Sequence, residues 1–226
     1  MPKTEPTAVA TAEPQPNAPR SRKGAATRAR LLEAAKAVFE ESGFLEARIS
    51  DIADRASLSH GSFYHYFDSK EQIFREVAEA QEALLTAPGG EERSEGEDTT
   101  ELERIHRANR LYLERYRDNG RIMGVIEEVS RYDSFVNDAR MQRQKHFAER
   151  AEHAIRRLQG MGVADPDVDP EIAAVALGSM IGRFAELWFV EGWSQFEFER
   201  AVEQVTKLWA NAIGLKEPVK RRRKAS

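Results

Sequence analysis

The sequence predicts an all-α protein in which a small N-terminal domain precedes a larger helical one. Apolar residues recur at spacings of three and four along almost the whole chain, and no segment shows convincing period-two alternation. Glycine, proline and Asn-Gly breaks separate one periodic segment from the next. We expect a disordered tail over residues 1–22, the first domain over 23–70, the second over 71–215 and a basic tail over 216–226.

The first helix is predicted over Thr27 to Ser42. One of its faces carries the apolar side chains of Leu31, Ala35, Val38 and Phe39. Gly43 should end this helix, because glycine readily adopts the left-handed conformation found after helix C-termini.

Two short amphipathic segments joined by a polar turn follow between Ile49 and Phe67. The first segment has apolar residues at helical spacing, namely Ile49, Ile52, Ala53 and Ala56. In the turn Leu58 alone can point inward, and the second segment offers Phe63 and Phe67 as its buried side. Two short helices joined by such a turn have the geometry of a helix-turn-helix, whose second helix enters the major groove of DNA. This segment therefore predicts DNA binding.

From about Thr27 to Phe74 the chain resembles the N-terminal domain of the tetracycline-repressor (TetR) family of bacterial transcriptional regulators. The motif reads TRARLLEAAKAVFEESGF, then the helix-turn-helix, then DSKEQIF, and it covers a little over a fifth of the chain. It departs at one turn position, where Ser57 replaces the usual glycine and should carry modest strain. The resemblance implies a symmetric homodimer on a palindromic double-stranded operator, with recognition helices roughly 34 Å apart. It also implies a helical-bundle domain for ligand binding and dimerisation.

Our candidate DNA contacts lie in this three-helix N-terminal domain. Residues 59–62 put short polar side chains at the start of the recognition helix, and the glycine among them lets the two backbones approach. Tyrosine hydroxyls can donate to phosphate, and a lysine at the start of the next helix adds charge to its positive end. The candidates are Ser50, Ser59, His60, Gly61, Ser62, Tyr64, His65, Tyr66 and Lys70. Two alternatives stay open: that the aromatic side chains simply cover a small core, and that Ser50 is an ordinary N-cap.

Charge is distributed unevenly along the chain, although the formal net charge is only -4. Arg20 to Arg30 holds basic residues and no acidic one, and the last eleven residues hold six basic side chains against Glu217. Basic ends on an acidic body suit a protein that meets a polyanion with part of its surface. Arg20 to Arg30 is either a solvated charge run or an arm that reaches into the minor groove.

Six further helices are predicted after the helix-turn-helix. Ser69 and Gln72 form a capping box for a helix that runs to about Thr86, and Pro88 to Thr99 is a Gly- and acid-rich loop. The next helices cover Thr100 to Asp118, a short apolar stretch that passes through Met123, Ile126 and Val129 after the Asn119-Gly120 break, and Ser134 to Gly160. Asp169 as N-cap and Pro170 as first helical residue open a helix that runs through Trp188. The last helix covers roughly Gln195 to Ile213.

The helix from Ile172 to Trp188 is apolar almost all round, and Gly178 and Gly182 permit close approach. Such a helix must be buried by more than its own neighbours, or lie at the centre of its domain. Arg183 interrupts it, which argues against a membrane span. Paired with the last helix, it predicts a four-helix interface between two protomers.

Large, soft side chains in the second domain are our candidates for the lining of an effector cavity. They are Tyr112, Tyr116, Met123, Ile126, Phe147, Phe184 and Trp188. Their alternative role is to fill the core. Apolar walls with a few polar tips, here the tyrosine hydroxyls, His146 and Arg183, are typical of small-molecule pockets. We expect a largely apolar effector with one polar or acidic end, which Arg183 would bind.

The sequence gives no support for catalysis. It has no cysteine, no histidine spacing suited to a metal and no nucleotide-binding glycine loop. We therefore expect no enzyme activity, no metal, no cofactor and no membrane association, and, without an apolar leader, a cytoplasmic protein. The open alternatives are a transcriptional activator, a regulator without a ligand, and an enzyme built on a helical bundle.

Overall fold

The computed structural model describes residues 21–87 and 99–216, which form nine α-helices and no strand. The elements are α1 (Arg22–Glu46), α2 (Ile49–Arg55), α3 (His60–Phe63), α4 (Lys70–Thr86), α5 (Glu101–Asp118), α6 (Gly120–Val129), α7 (Ser134–Gly160), α8 (Pro170–Phe189) and α9 (Phe198–Ala212). The predicted all-α class is confirmed. Almost all of the predicted N-terminal tail, most of the acidic loop and nearly all of the basic C-terminal tail lie outside the described residues.

Helix α1 begins five residues earlier than the sequence pattern indicated. Ser21 caps it by accepting a 3.1 Å hydrogen bond from the main-chain N–H of Gly24. Arg28 holds this early part in place, since it forms an ion pair with Glu76 and lies 4.7 Å from the centre of the Phe67 ring. From residue 22 onward the segment is helical, so both interpretations of it, as a flexible charge run and as a minor-groove arm, are wrong. Arg20 lies outside the described residues.

The helix-turn-helix forms where it was predicted. Ile52, Ala53, Phe63 and Phe67 are fully buried. Ser57 adopts a positive φ of 54°, as expected from its glycine-like position, and Leu58 then donates from its main-chain N–H to the carbonyl of Ala53. Gly43 (φ 72°) adopts the predicted left-handed conformation, but it kinks α1 rather than ending it, and α1 continues to Glu46.

Helix α4 belongs to the cores of both domains. Its first turns bring Ile73 and Phe74 against α1, where Phe74 packs edge-on at 4.9 Å from the rings of both Phe39 and Phe44. Its later turns pack against α7 and α5. The main core accordingly runs without interruption from Leu31 in α1 to α5 and α6.

The second domain consists of α5 to α9, with α7 packed along α8 and α5 along α9. The predicted N-cap at Asp169 is confirmed, since it accepts two main-chain hydrogen bonds ahead of Pro170. Thr100, where the sequence placed the start of α5, forms a capping box with Glu103 that the sequence analysis did not identify. The capping box predicted for α4 is only half formed: Ser69 accepts from Gln72, but the Gln72 side chain bonds to the N–H of Asp68 rather than that of Ser69.

Helix α8 is only partly covered by the rest of its own chain. By length and composition it would suffice to cross a membrane, yet only 17% of its most apolar stretch is buried within the chain. Ile172 and Val175 are 70% and 54% exposed. A single chain therefore does not bury this helix, and its apolar outer face has no cover among the described residues.

Candidate functional site

The recognition helix α3 is short, and its side chains divide cleanly between core and surface. Phe63 faces the core, whereas His60, Gly61 and His65 are exposed and Tyr64 is 47% exposed. The Tyr64 ring is held in place between two neighbours, edge-on to His60 at 5.4 Å and to Phe63 at 5.4 Å. This arrangement presents a tyrosine hydroxyl and an imidazole on one outer surface.

Ser59 and Ser62 hold the start of α3 together. Ser59 accepts a 3.2 Å hydrogen bond from the main-chain N–H of Ser62, and the two hydroxyl oxygens lie 2.7 Å apart. Ser59 is therefore an N-cap as well as a surface residue. Tyr66 is half-buried and packs against the core, which leaves its ring less available than that of Tyr64.

Ser50 does not cap helix α2. Arg48 occupies the N-cap position, and the Ser50 hydroxyl instead donates a 3.2 Å hydrogen bond to Asp51. The N-cap alternative for Ser50 is thus wrong, and its half-buried hydroxyl lies in the first turn of α2.

Gly61 lies in a place where the fold has no need of a glycine. A Cβ added there would meet no heavy atom within 4 Å, and its φ is not positive. Glycine within a helix costs about 0.5–1 kcal/mol relative to alanine. Neither packing nor backbone conformation within the chain explains the residue, which suits an outer surface approached closely by another molecule.

Lys70 has a different role from the one its sequence position suggested. Its ammonium nitrogen lies 2.8, 3.1 and 2.9 Å from the main-chain carbonyl oxygens of Phe44, Leu45 and Ala47. An ammonium group has three N–H donors, and three acceptors lie in range. Lys70 therefore ties the end of α1 to the start of α4, and we no longer assign it a direct hydrogen bond to phosphate.

A known protein family matches this part of the chain. The family of bacterial regulatory proteins called the tetR family matches residues 31–77, which run from the first core residue of α1 to the middle of α4. The N-terminal domain is therefore a TetR-family DNA-binding domain.

Curated relatives of the chain include HTH-type transcriptional regulators. The HTH-type transcriptional regulator YdgC of Bacillus subtilis is 28% identical over 178 residues, which is 75% of this chain and 85% of YdgC. The HTH-type transcriptional repressor KstR2 of Rhodococcus jostii is 44% identical over 50 residues, 22% of this chain and 24% of KstR2. The similarity to KstR2 thus covers less than a quarter of either chain.

Solved structures extend the likeness in fold to the second domain. The transcriptional regulator FadR from Bacillus subtilis, solved in complex with stearoyl-CoA, superposes with a TM-score of 0.65 at 16% identity, covering 82% of this chain and 98% of that one. At this identity the likeness concerns the fold.

The seven candidate effector residues fall into two groups. Tyr112, Tyr116, Met123 and Ile126 are buried in the main core, and Phe147 meets the Tyr112 ring edge-on at 5.2 Å. Phe184 and Trp188 belong instead to an aromatic cluster with Phe196 near the surface, and Phe189 connects the two groups. Phe184 also lines an open groove of about 490 Å³ between α8 and α9.

Two of the polar side chains predicted to line the effector cavity are not in the interior. The Arg183 side chain is 55% exposed and pairs with Glu186 on the same helix, and His146 is exposed. Arg183 is therefore not the buried partner of an acidic effector, because helix α8 turns this side toward solvent.

A buried charged pair, Glu82 and Arg143, was missed by the sequence analysis. Glu82 is 3% exposed and Arg143 8%, and Nε of Arg143 lies 2.7 Å from Oε2 of Glu82. Burial raises the pKa of Glu82 above its ordinary value, and the nearby Arg143 opposes this shift only in part. A signal was present: Arg143 lies four residues before Phe147 on the apolar face of α7, and Glu82 four residues after Ala78 on that of α4.

Proposed function

We propose that this regulator is a repressor that binds a palindromic operator as a homodimer and leaves it when a small, largely apolar effector binds in the second domain. The repressor role draws on the likeness to KstR2, which is named a repressor, and the apolar effector on the likeness to FadR, which was solved with stearoyl-CoA. We place its action in the cytoplasm, where the DNA is found.

The observation that carries the DNA-binding site is the exposed face of α3. His60, Gly61 and Tyr64 lie side by side there, and the glycine has open space around it. We propose that the Tyr64 hydroxyl binds a phosphate oxygen and that His60 and Ser62 contact base edges. His65, Tyr66, Ser59 and Ser50 are proposed as flanking contacts to the DNA backbone.

The homodimer is proposed to form through α8 and α9. Ile172 and Val175 on α8 and Leu208 on α9 are more than half exposed. Apolar side chains presented together on two neighbouring helices are costly in water, and covering them with a second copy would bury the same surface twice. A two-fold axis at this face would give the two N-terminal domains the symmetry of a palindrome.

Effector binding would reach the N-terminal domain through α4. This helix packs against α1 at its start and against α7 at its end. A shift of α7 would therefore change the orientation of the recognition helices and their separation across the dimer. An effector that prefers the shifted arrangement would weaken operator binding by the difference in its affinities for the two arrangements.

The experiment begins by selecting operator sequences from random duplex DNA with the purified protein. A palindromic consensus, together with a DNA complex whose mass corresponds to two chains, is the expected result. A reporter gene under the selected operator separates repression from activation, because loss of the regulator raises expression in the first case and lowers it in the second. Selection that returns no consensus, or an asymmetric one bound by one chain, would overturn the proposal.

A further inference from the structure

The pair formed by Arg143 on α7 and Glu82 on α4 is poorly satisfied. Nε and Nη1 of Arg143 and both carboxylate oxygens of Glu82 make no hydrogen bond in the part of the chain that the structure describes. The 2.7 Å contact between Nε and Oε2 brings the charges together without aligning an N–H with its acceptor. Two nearly inaccessible ions thus hold each other by charge alone.

Such a pair contributes little to stability. Removing two ions from water costs several kcal/mol each, and their attraction offsets this cost only when geometry and additional hydrogen bonds are good. Two well-packed apolar residues would serve a fold equally well. The unused donors of Arg143 are suited to a better-aligned carboxylate, because a guanidinium binds one through two parallel hydrogen bonds.

The surroundings of Arg143 suit an apolar molecule with an acidic end. Tyr112, Tyr116 and Phe147 lie in the same part of the core, together with Met123 and Ile126. Burial raises the pKa of both tyrosines, so their hydroxyls stay protonated and can donate. Gly182 also leaves space beside the Tyr112 hydroxyl, since a Cβ there would stand 3.7 Å from it.

We propose that Arg143 binds the carboxylate of a monocarboxylic effector with an apolar body, and that this carboxylate replaces that of Glu82. This inference rests on the proposed effector-released repressor. The pair is enclosed, so binding requires the end of α4 to separate from α7. Entry of the effector and movement of α4 are then a single event.

The displaced Glu82 is accommodated without a second buried charge. The pKa of Glu82 is already raised by burial, and losing the guanidinium of Arg143 removes the larger of the two positive charges that oppose this shift, the other being Arg140. Glu82 can therefore leave as a solvated carboxylate or remain as a neutral acid. Two other contacts join these helices: the hydrogen bond from Arg150 to the carbonyl of Thr86 must break as the end of α4 moves, whereas the pair of Arg75 with Asp133, nearer the N-terminal domain, stays in place and acts as a pivot.

The test measures binding of decanoate, palmitate, phenylacetate and cholate, each beside its primary amide, by calorimetry and thermal shift. At least one carboxylate should bind and release the selected DNA, while its amide should not. Arg143→Met should lower the affinity for that carboxylate by roughly tenfold to a hundredfold, which is the contribution of a charge-assisted hydrogen bond. Glu82→Gln should raise the affinity for the same carboxylate several-fold, because the competing side-chain carboxylate has been removed.

Two control variants keep the test decisive. Arg156→Met makes the same change on the same helix, in an exposed pair with Glu152, and should leave binding unchanged. If Arg143→Met fails to fold, Glu82→Gln with Arg143→Met removes both charges and should fold but not bind the carboxylate.

The inference is overturned if no carboxylate binds, if acid and amide bind equally, or if Arg143→Met retains full affinity. Binding of palmitoyl-CoA but not of palmitate would also overturn it, since the thioester has no free carboxylate. Failure of the unliganded protein to bind any DNA would instead overturn the proposed repressor, while calorimetry with Arg143→Met would still decide the carboxylate site.

Discussion

The ammonium group of Lys70 lies 4.7 Å from the centre of the Phe44 ring and 2.8 Å from the carbonyl oxygen of the same residue. With the carbonyls of Leu45 and Ala47 it closes the end of α1, where helical carbonyls lack partners within their own helix. One side chain thus fixes the angle between α1 and α4.

We therefore expect Lys70→Met to lower the free energy of unfolding by about 1.5–3 kcal/mol, the usual value of hydrogen bonds to a charged group. Denaturant unfolding measures the change. Lys36→Met is the matched control, since Lys36 makes one half-exposed pair with Glu40, worth about 0.3–0.5 kcal/mol. A fully stable Lys70→Met variant with a reduced salt dependence of DNA binding would show that Lys70 serves phosphate after all.

Gly61→Ala should make the protein more stable and DNA binding weaker. The added methyl group meets nothing within the chain and should gain roughly 0.5 kcal/mol of stability, but it would separate the recognition helix from DNA. Thermal unfolding and operator titration measure the two effects. Gly160→Ala, at the end of α7 and equally unobstructed, should not affect DNA binding; equal operator affinity for both variants would exclude close contact at Gly61.

Tyr64→Phe should weaken binding to every duplex by a similar factor, about fivefold to tenfold for one hydrogen bond of roughly 1 kcal/mol. The slope of affinity with salt should hardly change, because the hydroxyl carries no charge. Changes at His60 should instead alter the selected sequence. A Tyr64→Phe variant that binds one sequence normally and loses others would show that this tyrosine reads bases.

Ile172→Glu and Leu208→Glu should convert the dimer to monomers that bind operator DNA poorly. Both side chains are exposed in the single chain, so the substitutions leave its own packing intact. Val205, on the same helix, is 5% exposed and would disturb the fold when charged, which makes it a poor choice. Sedimentation at several concentrations gives the answer, and an unmodified protein that remains monomeric throughout would contradict the interface.

Asp133 should make stability depend on acid pH. Burial alone would raise its pKa, but the hydrogen bonds from Arg75 and from the main chain of Val136 outweigh burial and lower it. The stabilisation is complete above the ordinary aspartate pKa of 3.8 and is lost as pH falls through the lowered value. Asp133→Asn keeps the N-cap of α7. It should lower the free energy of unfolding by up to about 1 kcal/mol at pH 7 and leave it unchanged near pH 2. A loss of equal size at both pH values would mean that charge plays no part.

Much of the fold follows from local signals. Gly43 and Ser57 were correctly placed at breaks in helical conformation, and Asp169 at a helix start, because their effects act within a few residues. The start of α1 was placed too late, because what holds its first turns is Arg28 against Phe67 and Glu76, a contact made across the tertiary structure.

The sites were less predictable than the helices for a related reason. Periodicity places Tyr64 and Gly61 on an outer face, so the recognition helix was found. Periodicity does not show that Arg183 faces solvent. Nor does it show that Arg143 contacts the carboxylate of Glu82, on a helix some sixty residues earlier in the chain. Pairings between distant helices depend on how the bundle closes.

The shared position of α4 sets a limit on how domains of this type can be exchanged. A chimera joined at residue 70 would leave Phe39 and Phe44 facing a foreign helix in place of Phe74, and would leave Arg28 without Glu76. A junction after Val77 carries the whole aromatic set with the DNA-binding part and leaves Glu82 with the partner domain. Grafting new sensing domains onto this recognition helix should therefore succeed when the donor sequence begins within α4, after Val77, and supplies a carboxylate for Arg75 in place of Asp133.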